Sequence, residues 1–106
     1  MIEFFFWQGC PSHESALAEL HVAMAELGID HGQLKITEIL TNEEAEQNDF
    51  PGSPTIRVNG RDVQDPGDNP LGLTCRLYRL RNGRPSPLPD PADLRDALGQ
   101  LSQHNH

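Results

Sequence analysis

The chain has 106 residues, 36% of them hydrophobic, with 16 acidic against 8 basic side chains and a formal net charge of -8. This length and apolar content suit one domain with one core, and the acidic balance argues against nucleic acid or an anionic membrane surface as a partner, since both attract positive patches. The two cysteines, Cys10 and Cys75, have 64 residues between them and so form neither a secreted-type disulfide scaffold nor a zinc site of closely paired ligands.

Residues 2–7 have no basic residue before them and are too short for a signal-peptide core or a membrane span. A cytoplasmic location is therefore expected, where thiols are normally kept reduced. The same stretch holds Phe4, Phe5, Phe6 and Trp7 without polar alternation, which predicts a central strand covered on both faces. After Gly9, the step Cys10-Pro11-Ser12-His13 leads into a helix with Leu17, Leu20, Met24 and Leu27 on one face and Gly28 as its stop. Pro11 is tolerated there because the first helical amides have no intrahelical acceptor. Cys10 is thus expected at a helix N-terminus.

Residues 34–40 read as a second strand with Leu34, Ile36 and Ile39 inward and Lys35 and Thr37 outward. Thr41-Asn42-Glu43-Glu44 has the spacing of a capping box and opens a short helix ending near Asn48. A Phe50-Pro51-Gly52-Ser53-Pro54 loop leads into an alternating strand, Thr55-Ile56-Arg57-Val58. Asn59-Gly60 then signals a hairpin, with residues 61–64 returning alongside.

Residues 65–72 are turn formers and predict a surface loop, of a length that is often functional. Residues 73–80 place Leu73, Cys75, Leu77 and Arg79 on one face and Thr74, Arg76, Tyr78 and Leu80 on the other, which predicts a strand with Cys75 pointing where Leu73 and Leu77 point. Asn82-Gly83 makes a further turn, and Pro85, Pro87 and Pro89 keep the next stretch extended and unpaired. Asp90-Pro91-Ala92-Asp93 combines an N-cap acid, a first-turn proline and an acid at the positive end of the dipole. The last helix is expected to run to about Leu101, burying Leu94, Leu98 and Leu101. Residues 102–106, with His104 and His106, read as a polar tail.

The order of elements, with a thiol after the first strand, resembles the thioredoxin fold. Cys10 sits where that family places the first cysteine of Cys-x-x-Cys, preceded by Trp7 and Gly9 and followed by Pro11. Pro54 stands before the third strand, where the family has a proline with a cis peptide bond. The resemblance implies an α/β domain over residues 1–101 with a central mixed sheet of four to five strands, three flanking helices, and a longer loop with an extra extended segment at 65–89. It also implies that the Ser53 backbone faces Cys10 along an edge that pairs with an extended substrate chain. His13 stands in place of the second motif cysteine, so the usual local dithiol is absent.

A helix dipole and the imidazole of His13, three residues on, both favour thiolate at Cys10; as a bland alternative, Cys10 is a small buried apolar residue and His13 a solvated side chain. Cys75 is a candidate resolving thiol, which requires Cα atoms within about 7 Å of Cys10. Its alternative is a core cysteine between Leu73 and Leu77. Cys10, His13 and Cys75 are also soft ligands suited to zinc or mercury, without an evident fourth ligand, and no metal or other cofactor is assigned. His21 and His31 read as solvated, Glu43-Glu44-Ala45-Glu46 as a solvated helix face, and Arg57, Arg61, Arg76, Arg79, Arg81 and Arg84 as salt-bridge partners of the acidic excess.

Two functional expectations follow, with soft-metal (zinc or mercury) binding by the thiols as a further alternative. In the first, Cys10 acts in thiol redox chemistry, with Cys75 or an external thiol resolving it, His13 assisting, and Trp7, Pro11, Ser53 and Pro54 shaping the approach; the partners are protein or small-molecule thiols and disulfides. In the second, a redox-inactive module binds a peptide or protein through the same groove. Oligomeric state is left open.

Overall fold

Consecutive residues of a strand face opposite ways, so Phe4 and Phe5 can be buried together only if both faces of their strand are covered. In the computed structural model, which describes residues 1–67 and 69–103, Phe4 is 0% and Phe5 4% exposed. Their strand, β1 (Ile2–Phe6), is central in a four-stranded mixed sheet. Burial of one such aromatic side chain contributes about 1.5–3 kcal/mol, and β1 supplies one to each side.

β1 pairs in parallel with β2 (Leu34–Glu38), Ile2 opposite Leu34, and antiparallel with β3 (Thr55–Val58), Ile2 opposite Val58. β3 turns at Asn59-Gly60, both with positive φ, into the short β4 (Arg61–Asp62). The sheet order is β2-β1-β3-β4. A parallel β1–β2 pair needs a crossover, and α1 (Ser12–Glu26) supplies it. Gly28 takes φ +69° just past its end, a conformation glycine adopts without cost.

The face carrying Ile2, Phe4, Ile56 and Val58 packs on Ala16, Leu20, Ala23 and Met24 of α1 and on Leu94 and Leu98 of α3 (Pro91–Gln103). The other face carries Phe5, which joins Ile39, Phe50 and Ala45 of α2 (Asn42–Gln47), with Trp7 and Leu73 at the margin. The Thr41 hydroxyl accepts from the Glu44 amide as the capping box predicts, but the Glu44 carboxylate reaches Leu40 N–H. Asp90 caps α3 through Ala92 N–H. α3 extends through Gln103, past the expected end at Leu101; the Leu101 side chain and the tail histidines His104 and His106 lie outside what is described.

Three expectations are corrected. Ile36 is 47% exposed, because β2 is an edge strand and its pattern alone does not guarantee cover. The strand expected over 73–80 is reduced to β5 (Tyr78–Arg79). The proline stretch expected to be unpaired supplies β6 (Pro85–Ser86), antiparallel to β5, with a Leu80 N–H to Arg84 carbonyl bond closing the hairpin at 2.8 Å. Within the described residues no helix is long and apolar enough to cross a membrane.

Candidate functional site: a paired thiol at the first helix

The aromatic strand ends in a tight turn, with Cys10 N–H donating to the Trp7 carbonyl at 3.1 Å. The Trp7 ring folds over Gly9 so closely that a Cβ there would run into it. This turn delivers Cys10 to the start of α1, where the residue is 2% exposed. The sulfur lies 3.2 Å from Ser12 Oγ and 3.5 Å from the Ser53 carbonyl oxygen.

Ser53 closes the site from the opposite side. Its hydroxyl accepts from Trp7 N–H at 3.0 Å, tying the loop to the end of β1, and the Ser53–Pro54 peptide bond is cis. Both backbone groups of Ser53 are taken by the chain itself. Its N–H donates to the Thr74 carbonyl at 2.8 Å and its carbonyl accepts from Arg76 N–H at 2.9 Å. Cys75, between them, forms a parallel β-bridge with Ser53.

That bridge brings the second thiol to the first. Cys75 is pushed up from the ordinary thiol value to about 11, chiefly by a side-chain hydrogen bond with Cys10, then by burial and by charge on Cys10. Both cysteines are free, and together with Pro11, Ser12 and Pro87 they line a surface cavity of about 380 Å³. The sequence expectation of a core cysteine between Leu73 and Leu77 is overturned: Cys75 is exposed, Leu77 is 60% exposed, and Arg76 and Tyr78 are the buried residues.

Arg76 and Tyr78 fasten this segment. The Arg76 guanidinium donates to both Asp62 carboxylate oxygens, at 2.7 and 2.9 Å, and to Thr55 Oγ1 at 3.3 Å. It stacks on the Tyr78 ring with 4.2 Å to the centroid. Tyr78 O–H donates to the Pro54 carbonyl at 2.6 Å, and burial pushes the phenol well above its usual range. Gly52 admits the Arg76 backbone; a Cβ at position 52 would stand 3.0 Å from Arg76 Cα and N, at φ +122°.

No protein-family model, curated protein or solved structure matches this chain. The site is therefore read from its own chemistry. His13, expected near the sulfur, instead binds the Cys10 carbonyl oxygen through Nδ1 at 2.7 Å and stacks on Phe6 at 4.7 Å. It anchors the turn that carries the thiol. Pro54 is fully buried and Trp7 packs at the margin of the second cluster, so of the residues expected to shape the approach only Pro11 lines the cavity. Among the described residues no group of three or more His, Cys, Asp or Glu is placed to hold a metal ion. His21 and His31, expected as separate solvated side chains, pack ring to ring at 5.4 Å. Arg76, Arg81 and Arg95 all pair with acids, as expected of Arg76 and Arg81.

Ser12, Pro87, Asp62 and Tyr78 were not singled out as site residues. Asp62 and Tyr78 act through Arg76 and Pro54, partners that nothing in their own neighbourhood of the sequence announces. Because the thiolate is the species that alkylates, Cys75 should react with iodoacetamide with a midpoint near pH 11. In Cys10→Ala, which removes the first cause, the midpoint should fall toward the ordinary thiol range. Equal midpoints in the two proteins would show that the thiols do not interact.

Proposed function

We propose that this chain is a thioredoxin-fold thiol redox protein whose working pair is Cys10 and Cys75. Strand order, a helix following the first strand, a thiol at their junction and a Ser-Pro loop facing it support the resemblance to that fold. One observation carries the redox reading: Ser53 bridges to Cys75 while its carbonyl lies 3.5 Å from the Cys10 sulfur, so that both thiols line one cavity. Cys10, at the positive end of α1, attacks a disulfide R–S–S–R, forming a Cys10–S–S–R bond and releasing one thiolate. Cys75 then attacks the Cys10 sulfur and expels the second. Two electrons pass from the cysteines to the substrate, and the two thiol protons leave with two R–SH.

The alternative of a redox-inactive module binding a peptide along the Ser53 edge finds that edge already filled by residues 74–76. The test is oxidation of the protein with excess disulfide, followed by mass spectrometry. The native chain should lose the mass of two hydrogen atoms and both free thiols, while Cys75→Ser should stop at a mixed disulfide on Cys10. Retention of two free thiols in the native chain, or dimers through Cys10 alone, would overturn the pairing.

A further inference from the structure

In the fold this chain resembles, an extended substrate pairs with the backbone edge beside the first thiol, which here is the N–H and carbonyl of Ser53. Here Thr74 and Arg76 hold both, at 2.8 and 2.9 Å. The segment is secured by a bidentate ion pair, Arg76 to Asp62, whose side chains are 1% and 11% exposed, and by the Tyr78 to Pro54 hydrogen bond. The chain has thus laid its own segment, residues 74–76, along the docking edge, with Cys75 bridged to Ser53 and lining the same cavity as Cys10.

Both thiols open on a cavity of about 380 Å³ lined by Cys10, Pro11, Ser12, Cys75 and Pro87. This lies at the small end of the range for small-molecule sites. None of the five lining residues carries a fixed positive charge, and the nearest cation along the chain, Arg76, is committed to Asp62. No cationic side chain in that wall can form an ion pair with a substrate carboxylate, the Ser12 hydroxyl lies against the Cys10 sulfur, and the net charge of -8 repels an anion at long range.

Resting on the redox reading above, we infer that the substrate of the Cys10–Cys75 pair is a low-molecular-weight, uncharged disulfide and not a protein disulfide or an anionic one. The atoms balance as before: the substrate's S–S bond breaks, the Cys10–Cys75 bond forms, and two uncharged thiols leave with the two protons. An external dithiol returns the pair to the reduced state by the reverse exchange.

The experiment compares stopped-flow oxidation of the reduced full chain by bis(2-hydroxyethyl) disulfide and by glutathione disulfide, each normalised to its reaction with free dithiothreitol. A parallel assay follows insulin disulfide reduction with dithiothreitol as electron source. The inference expects at least a tenfold normalised preference for the uncharged disulfide, a glutathione disulfide rate that rises with salt as repulsion is screened, and no acceleration of insulin reduction. Normalised rates that are equal, or insulin reduction accelerated by the protein, would overturn the inference while leaving the dithiol pair standing. Failure of every disulfide to close Cys10 to Cys75 would overturn the redox reading itself.

Discussion

Asp62→Ala is expected to lower stability by about 3–5 kcal/mol, the cost of leaving one partner of a buried ion pair uncompensated. The Arg76 side chain is 1% exposed and its Nε already lacks a partner among the described residues, so the guanidinium depends on Asp62 for two of its hydrogen bonds. Asp62 also accepts from Gln64 N–H at 3.0 Å, so its loss loosens β4 as well as the Cys75 segment. Urea unfolding measures the stability loss, and the rate of Cys75 alkylation at neutral pH measures the loosening, which should raise it. A loss below about 1 kcal/mol would class the pair with exposed salt bridges and remove it as the fastening of Cys75. Since 3–5 kcal/mol is a large share of the stability of a small domain, the double variant Asp62→Leu, Arg76→Met serves as control. Replacing both charges with apolar groups of similar volume is often neutral or stabilising, so it should refold what Asp62→Ala weakens.

The same ion pair explains why Cys75 is misplaced when only the sequence is considered. Alternation over 73–80 assigns the inward face to the apolar set Leu73, Cys75 and Leu77, because an unpaired arginine is almost never buried. The structure buries Arg76 and Tyr78 instead and leaves Leu77 outside. The deciding partner, Asp62, sits 14 residues back on β4, and no local pattern links the two. Once Arg76 turns inward, period-two geometry turns Cys75 the other way, toward Cys10 and solvent.

Signals that depend on near neighbours were legible. Phe4 and Phe5 announced a strand covered twice, Gly28 the end of α1, Thr41 and Asp90 their caps, and Asn59-Gly60 its hairpin, since each acts within a few residues. The placement of Cys10 at the β1–α1 junction belongs with them. His13 illustrates the limit: its spacing puts it one turn from Cys10, but the nearby Cys10 carbonyl and the Phe6 ring, rather than the sulfur, are what its ring finds. Sequence spacing identifies which groups are neighbours; competing hydrogen-bond acceptors and apolar surfaces determine which neighbour is engaged.

Closing the Cys10–Cys75 disulfide is expected to stabilise the fold by about 4 kcal/mol on the chain-entropy model, given the 64 residues between the cysteines. The segment carrying Cys75 is already fixed to Ser53 by two backbone hydrogen bonds, and both thiols line the same cavity. Because folding and disulfide formation are linked in one thermodynamic cycle, the folded chain should favour the disulfide over the dithiol by the same amount relative to the unfolded chain. At 1.4 kcal/mol per factor of ten, that is about a thousandfold in the exchange equilibrium. Two measurements close the cycle independently: urea midpoints of the oxidised and reduced protein, and the equilibrium with dithiothreitol in buffer and in strong denaturant. Coincident midpoints together with equal exchange constants would mean that the fold does not hold Cys10 and Cys75 together in solution, and the working pair would have to be abandoned.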